Sequence, residues 1–176
     1  FYYSGSGNDL DNWMTNSYTL GAGSSLTAMV NFDIEVDWDY AYLVISTDGG
    51  ANWDNVATNF STNTDPNGQN FGNGITGSSY GWATLTADLS AYTGDVMLGF
   101  RYWTDVAAVE PGFMVDDVAI TGYPLDDAES DFGWTYDGFR LTTGTESAYY
   151  FNAYVAEFRQ YRGYDVGLSN AYNFGW

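Results

Sequence analysis

Apolar residues recur at every second position from Leu26 to Ile34 (Leu26, Ala28, Val30, Phe32, Ile34) and again from Val96 to Tyr102 (Val96, Leu98, Phe100, Tyr102). A side-chain period of two sends alternate residues to opposite faces, a pattern that a strand satisfies and a helix of 3.6 residues per turn does not. The chain is therefore built to form sheets. Further strands are expected over Tyr40 to Ser46, Trp82 to Leu89 and Gly112 to Thr121. Directly after the first of these lies a turn, Thr47-Asp48-Gly49-Gly50, whose glycines tolerate positive φ, and Asn52-Trp53 brings the chain back as a hairpin. Seven or eight short strands separated by turns, with no helical periodicity, predict an all-β, two-sheet antiparallel sandwich of the jelly-roll type. The 16 Tyr, 11 Phe and 7 Trp suit such a core. Trp38, Trp53, Trp82 and Trp103 fall where its strands need interior residues.

Two stretches lack periodicity. Phe1 to Trp13 reads as a strand end running into an exposed loop that carries Asp9 and Asp11, and Asn59 to Ser79, with Asn63, Asp65, Asn67, Asn70 and Asn73, reads as an Asx-rich surface loop. Composition shifts at Tyr123-Pro124, where an acidic run (Asp126, Asp127, Glu129, Asp131) leads to a Tyr-rich segment over Tyr149 to Tyr164. The expected division is 1–123 for the sandwich and 124–176 for the start of a second β-rich domain, too short for an independent core without disulfides or a metal and so completed against the first domain or by further downstream sequence. The chain opens as if in mid-domain, so a piece of a longer precursor is expected, with any signal peptide upstream. No apolar run approaches the length of about 18 residues needed to span a bilayer, and membrane insertion is not expected.

The charge balance narrows the function. With 23 acids against four arginines, and neither lysine nor histidine, the formal net charge is -19. Such a surface repels nucleic acid and anionic membranes, and its self-repulsion calls for bound cations or screening salt. Zero cysteine and zero histidine exclude disulfides, thiolate zinc sites, an H-E-x-x-H zinc motif and a Ser-His-Asp triad. A carboxylate pair for glycoside hydrolysis can be drawn from any two acids, which makes that signal non-specific. No catalytic residue is expected in this chain.

Asp33, Glu35, Asp37 and Asp39 recur at every second position. On a continuous strand they share one face at intervals of about 6.6 to 7 Å. If the chain instead turns at Val36-Asp37-Trp38, then Glu35, Asp37 and Asp39 gather at a sandwich corner. Either geometry makes an oxygen-rich site. In Phe113-Met114-Val115-Asp116-Asp117-Val118, strict alternation sends one acid of the pair inward, where it needs a hydrogen-bond partner or a metal; the alternative is a solvated strand end. Oxygen donors without imidazole or thiolate select calcium over zinc or copper.

The successions SGSGNDLDNWM (Ser4 to Met14), DWDYAYLVISTDGGANW (Asp37 to Trp53), GFRYWTDVAAVEPGFMVDDVAI (Gly99 to Ile120) and YFNAYVAEFRQYRGYD (Tyr150 to Asp165) closely resemble the C-terminal region of immune inhibitor A-like peptidases of the M6 family. Members are secreted bacterial zinc metalloproteases with a pro-segment, a catalytic domain, a MAM-like jelly roll and a further β-rich domain. The resemblance implies an extracellular, non-catalytic region that supports or shields the catalytic domain, its partner being that domain or the remainder of the parent protein. It also implies calcium held at the rim of the jelly roll by Asp9, Asp11, Asp37, Asp39, Asp116 and Asp117, with Glu35 and Asp105 as further ligands. Zinc belongs only to the catalytic domain, which this chain lacks. The alternative is a β-sandwich serving adhesion or glycan binding in a non-peptidase surface or extracellular assembly protein.

Overall fold

The alternating segments form strands at the expected places, and strands without such a signal join them. The computed structural model describes residues 1–145, and no helix occurs among them. The strands are β1 (Tyr2–Tyr3), β2 (Asp11–Leu20), β3 (Ser25–Ile34), β4 (Tyr40–Ser46), β5 (Asp54–Val56), β6 (Gly77–Ser78), β7 (Ala83–Asp88), β8 (Gly94–Trp103), β9 (Gly112–Ile120), β10 (Thr135–Asp137) and β11 (Arg140–Leu141). One sheet runs β11-β1-β9-β3, with β6 and β7 both pairing with β3; the other runs β10-β2-β8-β4-β5. Every strand pair is antiparallel. The expectation of an all-β, jelly-roll-like sandwich is borne out.

The alternating residues meet between the sheets. Leu26, Val30 and Phe32 of β3 and Phe113 and Val115 of β9 face Leu43 and Ile45 of β4 and Leu98, Phe100 and Tyr102 of β8 in one buried cluster. Phe113 lies between Phe32 and Phe100, at ring-centroid distances of 5.9 and 6.0 Å. It thereby couples the two sheets directly. β2 begins inside the stretch expected to be loop. Its sequence is polar at most positions, and only Met14 and Leu20 are fully buried, yet it pairs with β8 from Asp11↔Trp103 to Leu20↔Gly94. Pairing with a strongly amphipathic neighbour decides its structure where its own pattern does not.

The sheets also continue past the division expected between residues 123 and 124. β10 borders β2 and β11 borders β1, so both come from beyond Tyr123. The backbone of Asp126 exchanges hydrogen bonds of 2.8 and 3.0 Å with Val118 on β9, while Trp134 and Phe139 are buried in the main core. That boundary therefore falls within the sandwich. The compositional shift arises from exposed acids flanking a few buried anchors. The Tyr149 to Tyr164 segment lies outside the described residues.

A second apolar cluster occupies the outer face of the five-stranded sheet. Tyr40, Tyr42 and Val44 are fully buried there, with Trp13, Trp53 and Trp103 packed around them. The segment between β5 and β6 covers them, because Ala41 and Ile75 exchange backbone hydrogen bonds of 2.9 and 2.8 Å and Phe71 stacks on Tyr42 at 5.9 Å. The Asx residues fasten this cover. Asn70 Nδ2 donates to the Thr62 and Thr64 carbonyls, and Asn73 Nδ2 to that of Asn55. Trp38 and Trp82, expected inside, are instead 39% and 44% exposed, since each lies in a connection just outside a strand.

Arg101 pins the cover from below. Its guanidinium lies 4.8 Å from the ring centroids of both Trp13 and Phe71 and donates to both oxygens of Asp11, at 2.7 and 2.9 Å. Lysine can reproduce the charge but neither the fork nor the planar stack. Arg101→Lys should therefore cost about 1 kcal/mol in chemical denaturation. A loss within error of zero would show that the stack does not hold the cover.

Candidate metal centre

Three acids converge where β3, β4 and β8 meet the rim. β3 ends at Ile34 and β4 begins at Tyr40, so the chain turns there as in the second expected geometry, but of Glu35, Asp37 and Asp39 only the first and last come together. The turn is closed by the Trp38 and Asp39 N–H groups, which donate to the Glu35 carbonyl at 3.4 and 3.2 Å, and Asp37 adopts a left-handed φ of 66°. β4 pairs with β8 through Tyr40↔Trp103, so the residues just beyond these two strand ends, Asp39 and Asp105, are neighbours. The Asp105 N–H donates to Asp39 Oδ1 at 2.8 Å. Carboxylate oxygens of Glu35, Asp39 and Asp105 all lie within 4.8 Å of one another.

Asp39 is the unusual member, being only 1% exposed. Burial pushes its carboxyl up to about 6 against the downward pull of the Asp105 N–H, and the charges of Asp105, Glu35 and Glu110 push in the same direction as burial. Glu35 is raised as well, by desolvation first and then by Asp105 and Glu110. Arg101 pairs with a different acid, Asp11. Tyr102, fully buried beneath the rim, has a hydroxyl without a hydrogen-bond partner among the described residues. Burial first, then the field of Asp39, raises its pKa. A buried carboxylate facing two others, with an unpartnered hydroxyl below, is unfavourable until a proton or cation joins it. The donor set is all oxygen, which fits a hard divalent cation.

The other expected ligands lie elsewhere. Asp9 is exposed at φ 54°, and its N–H donates to the Asp105 carbonyl, which places it beside the cluster but outside it. Asp11 is engaged by Arg101 and accepts the Trp13 indole N–H at 2.8 Å. The backbone of Asp37 takes part in the turn, with its carbonyl accepting from Asn67 Nδ2 at 3.1 Å. Asp116 and Asp117 lie on β9, away from the three-acid group. Neither points inward as strict alternation requires, because the β3–β9 register shifts between Thr27 and Met29 and Asp117 takes a φ of 47°. A bulge inserts one residue and keeps both acids on the solvent side. Glu110, whose charge acts on Asp39 and Glu35, was not singled out in the sequence; its only signal is its place in the same β8–β9 connection as Asp105.

Residues 1–144 match the family model described as the immune inhibitor A-like MAM domain. The chain belongs to this family. It is also 34% identical, over 181 aligned positions, to the pre-pro-metalloprotease PrtV of Vibrio cholerae serotype O1 strain M66-2. The same figures hold for PrtV of the El Tor Inaba strain N16961. These alignments take in 99% of the present chain and 19% of each relative, so the MAM domain and its flanking residues span about a fifth of the relatives' length. No helix among the described residues is long and apolar enough to cross a membrane.

Proposed function

We propose that this MAM domain is a non-catalytic, calcium-stabilised accessory region of a secreted bacterial zinc metalloprotease, supporting or shielding the catalytic domain. In this reading zinc belongs to a catalytic domain outside this chain. The observation that carries the calcium assignment is the buried Asp39 carboxylate facing Glu35 and Asp105 without a basic partner among the described residues. The all-oxygen donor set suits a hard divalent ion, of which calcium accepts the more irregular geometry. Such an ion would join the turn after β3 to the connection after β8, ordering the rim without taking part in chemistry. The relatives' name supports the protease context.

Thermal unfolding with calcium or with chelator tests the reading. Saturation at 100 times the dissociation constant adds about 2.7 kcal/mol, which raises the melting temperature of a domain this size by roughly 8 °C. Asp39→Ala should abolish the calcium-dependent rise whatever it does to the baseline. Equal melting with and without calcium, or an equal rise with magnesium alone, would count against the assignment.

A further inference from the structure

A groove of about 390 Å3 opens beside the acidic cluster, with Leu10, Trp38, Trp103 and Val106 as its apolar walls and Asp9 and Asp105 at its edge. Trp38 is 39% and Val106 71% exposed. On the same two connections Val36 and Val109 are exposed as well. The hydrogen bond from the Asp105 N–H to Asp39 ties these connections together, so their apolar residues crowd one end of the sandwich. A concentration of large hydrophobic side chains at one rim marks an interaction surface, where isolated ones do not. The charge around the groove restricts what can occupy it. Of the acids lining it, Asp11 is neutralised by Arg101, whereas Asp9 enters no ion pair among the described residues. A divalent ion shared by Glu35, Asp39 and Asp105 leaves a net negative charge, to which Asp9, Asp37 and Glu110 add. A second copy of this chain would bring the same acids to the contact and be repelled.

We propose that this groove docks a basic, aliphatic surface of the remaining parent polypeptide, with an arginine or lysine head group on Asp9 and its alkyl stem across the Trp38 and Trp103 rings. Long cationic side chains suit such a site because the stem covers apolar surface while the head meets the acid and the ring faces. The proposal rests on the accessory-region reading above. The relatives, of whose length this chain matches 19%, show that chains of this family extend far enough to furnish such a surface.

The test uses the full-length parent protein with a benzophenone amino acid in place of Val106, and separately in place of Leu125, which is 52% exposed beyond the opposite end of β9. The Val106 probe should cross-link within the same polypeptide to a segment outside residues 1–176 that contains lysine or arginine. Trp38→Ser should reduce that yield at least fivefold. Absence of the adduct, an adduct to a second copy, or one to a segment without basic residues would overturn the groove. Should Leu125 alone reach the remaining polypeptide, the groove is wrong and the accessory reading stands; should neither probe reach it, both fall.

Discussion

Asp126→Ala should lower the unfolding free energy by about 3 to 4 kcal/mol, measured by equilibrium denaturation. Asp126 is 4% exposed and serves as acceptor for three donors. Tyr2 Oη donates to both its oxygens at 2.7 and 2.9 Å, the Trp134 indole N–H donates at 2.6 Å, and the Ala128 N–H at 3.1 Å. Tyr2 comes from β1 and Trp134 from the connection before β10, so one carboxylate joins the first strand to the last part of the domain. Removing it leaves a buried phenol and a buried indole without acceptors, at about 1 to 3 kcal/mol each. Asn cannot rescue the site fully, because its amide nitrogen would face a donor. A double-mutant cycle with Tyr2→Phe isolates the link, with an expected coupling of about 1 kcal/mol. Strictly additive losses would show that the Tyr2–Asp126 bond contributes nothing of its own.

Phe113→Ala should be comparably severe, at about 3 to 5 kcal/mol. The ring is fully buried and lies between Phe32 of its own sheet and Phe100 of the opposite one. A cavity there touches both sheets, and neither can move to fill it without breaking strand pairs on either side. Against a total stability of about 5 to 15 kcal/mol, this change leaves a marginal domain. Phe113→Leu should recover more than half of the loss. If Phe113→Ala melts within about 2 °C of the parent, the three rings are not the joint between the sheets.

Alternation was legible wherever a strand has one wet and one dry face, as in β3 and β8. β2 carries no such signal, because most of its side chains are polar and its place is set by pairing with β8. The acidic corner was half legible. Spacing allowed both a continuous strand and a turn at Val36-Asp37-Trp38, and Asp105 entered only through family resemblance, since nothing local links residue 105 to residue 39. That link is made by the β4–β8 register. Alternation misplaced the Asp116–Asp117 pair because a bulge leaves no mark in a period-two count. Asp126 looked like one more surface acid in an acidic run. Its distinguishing signal was Trp134, whose indole N–H needs an acceptor once buried.

β1 pairs with β11 through Tyr2↔Leu141, and the Thr142 N–H donates to the Phe1 carbonyl at 2.9 Å. The backbone at residue 142 therefore lies about 5 Å from that at residue 1, so the described sandwich closes on itself and leaves almost no distance between these two positions.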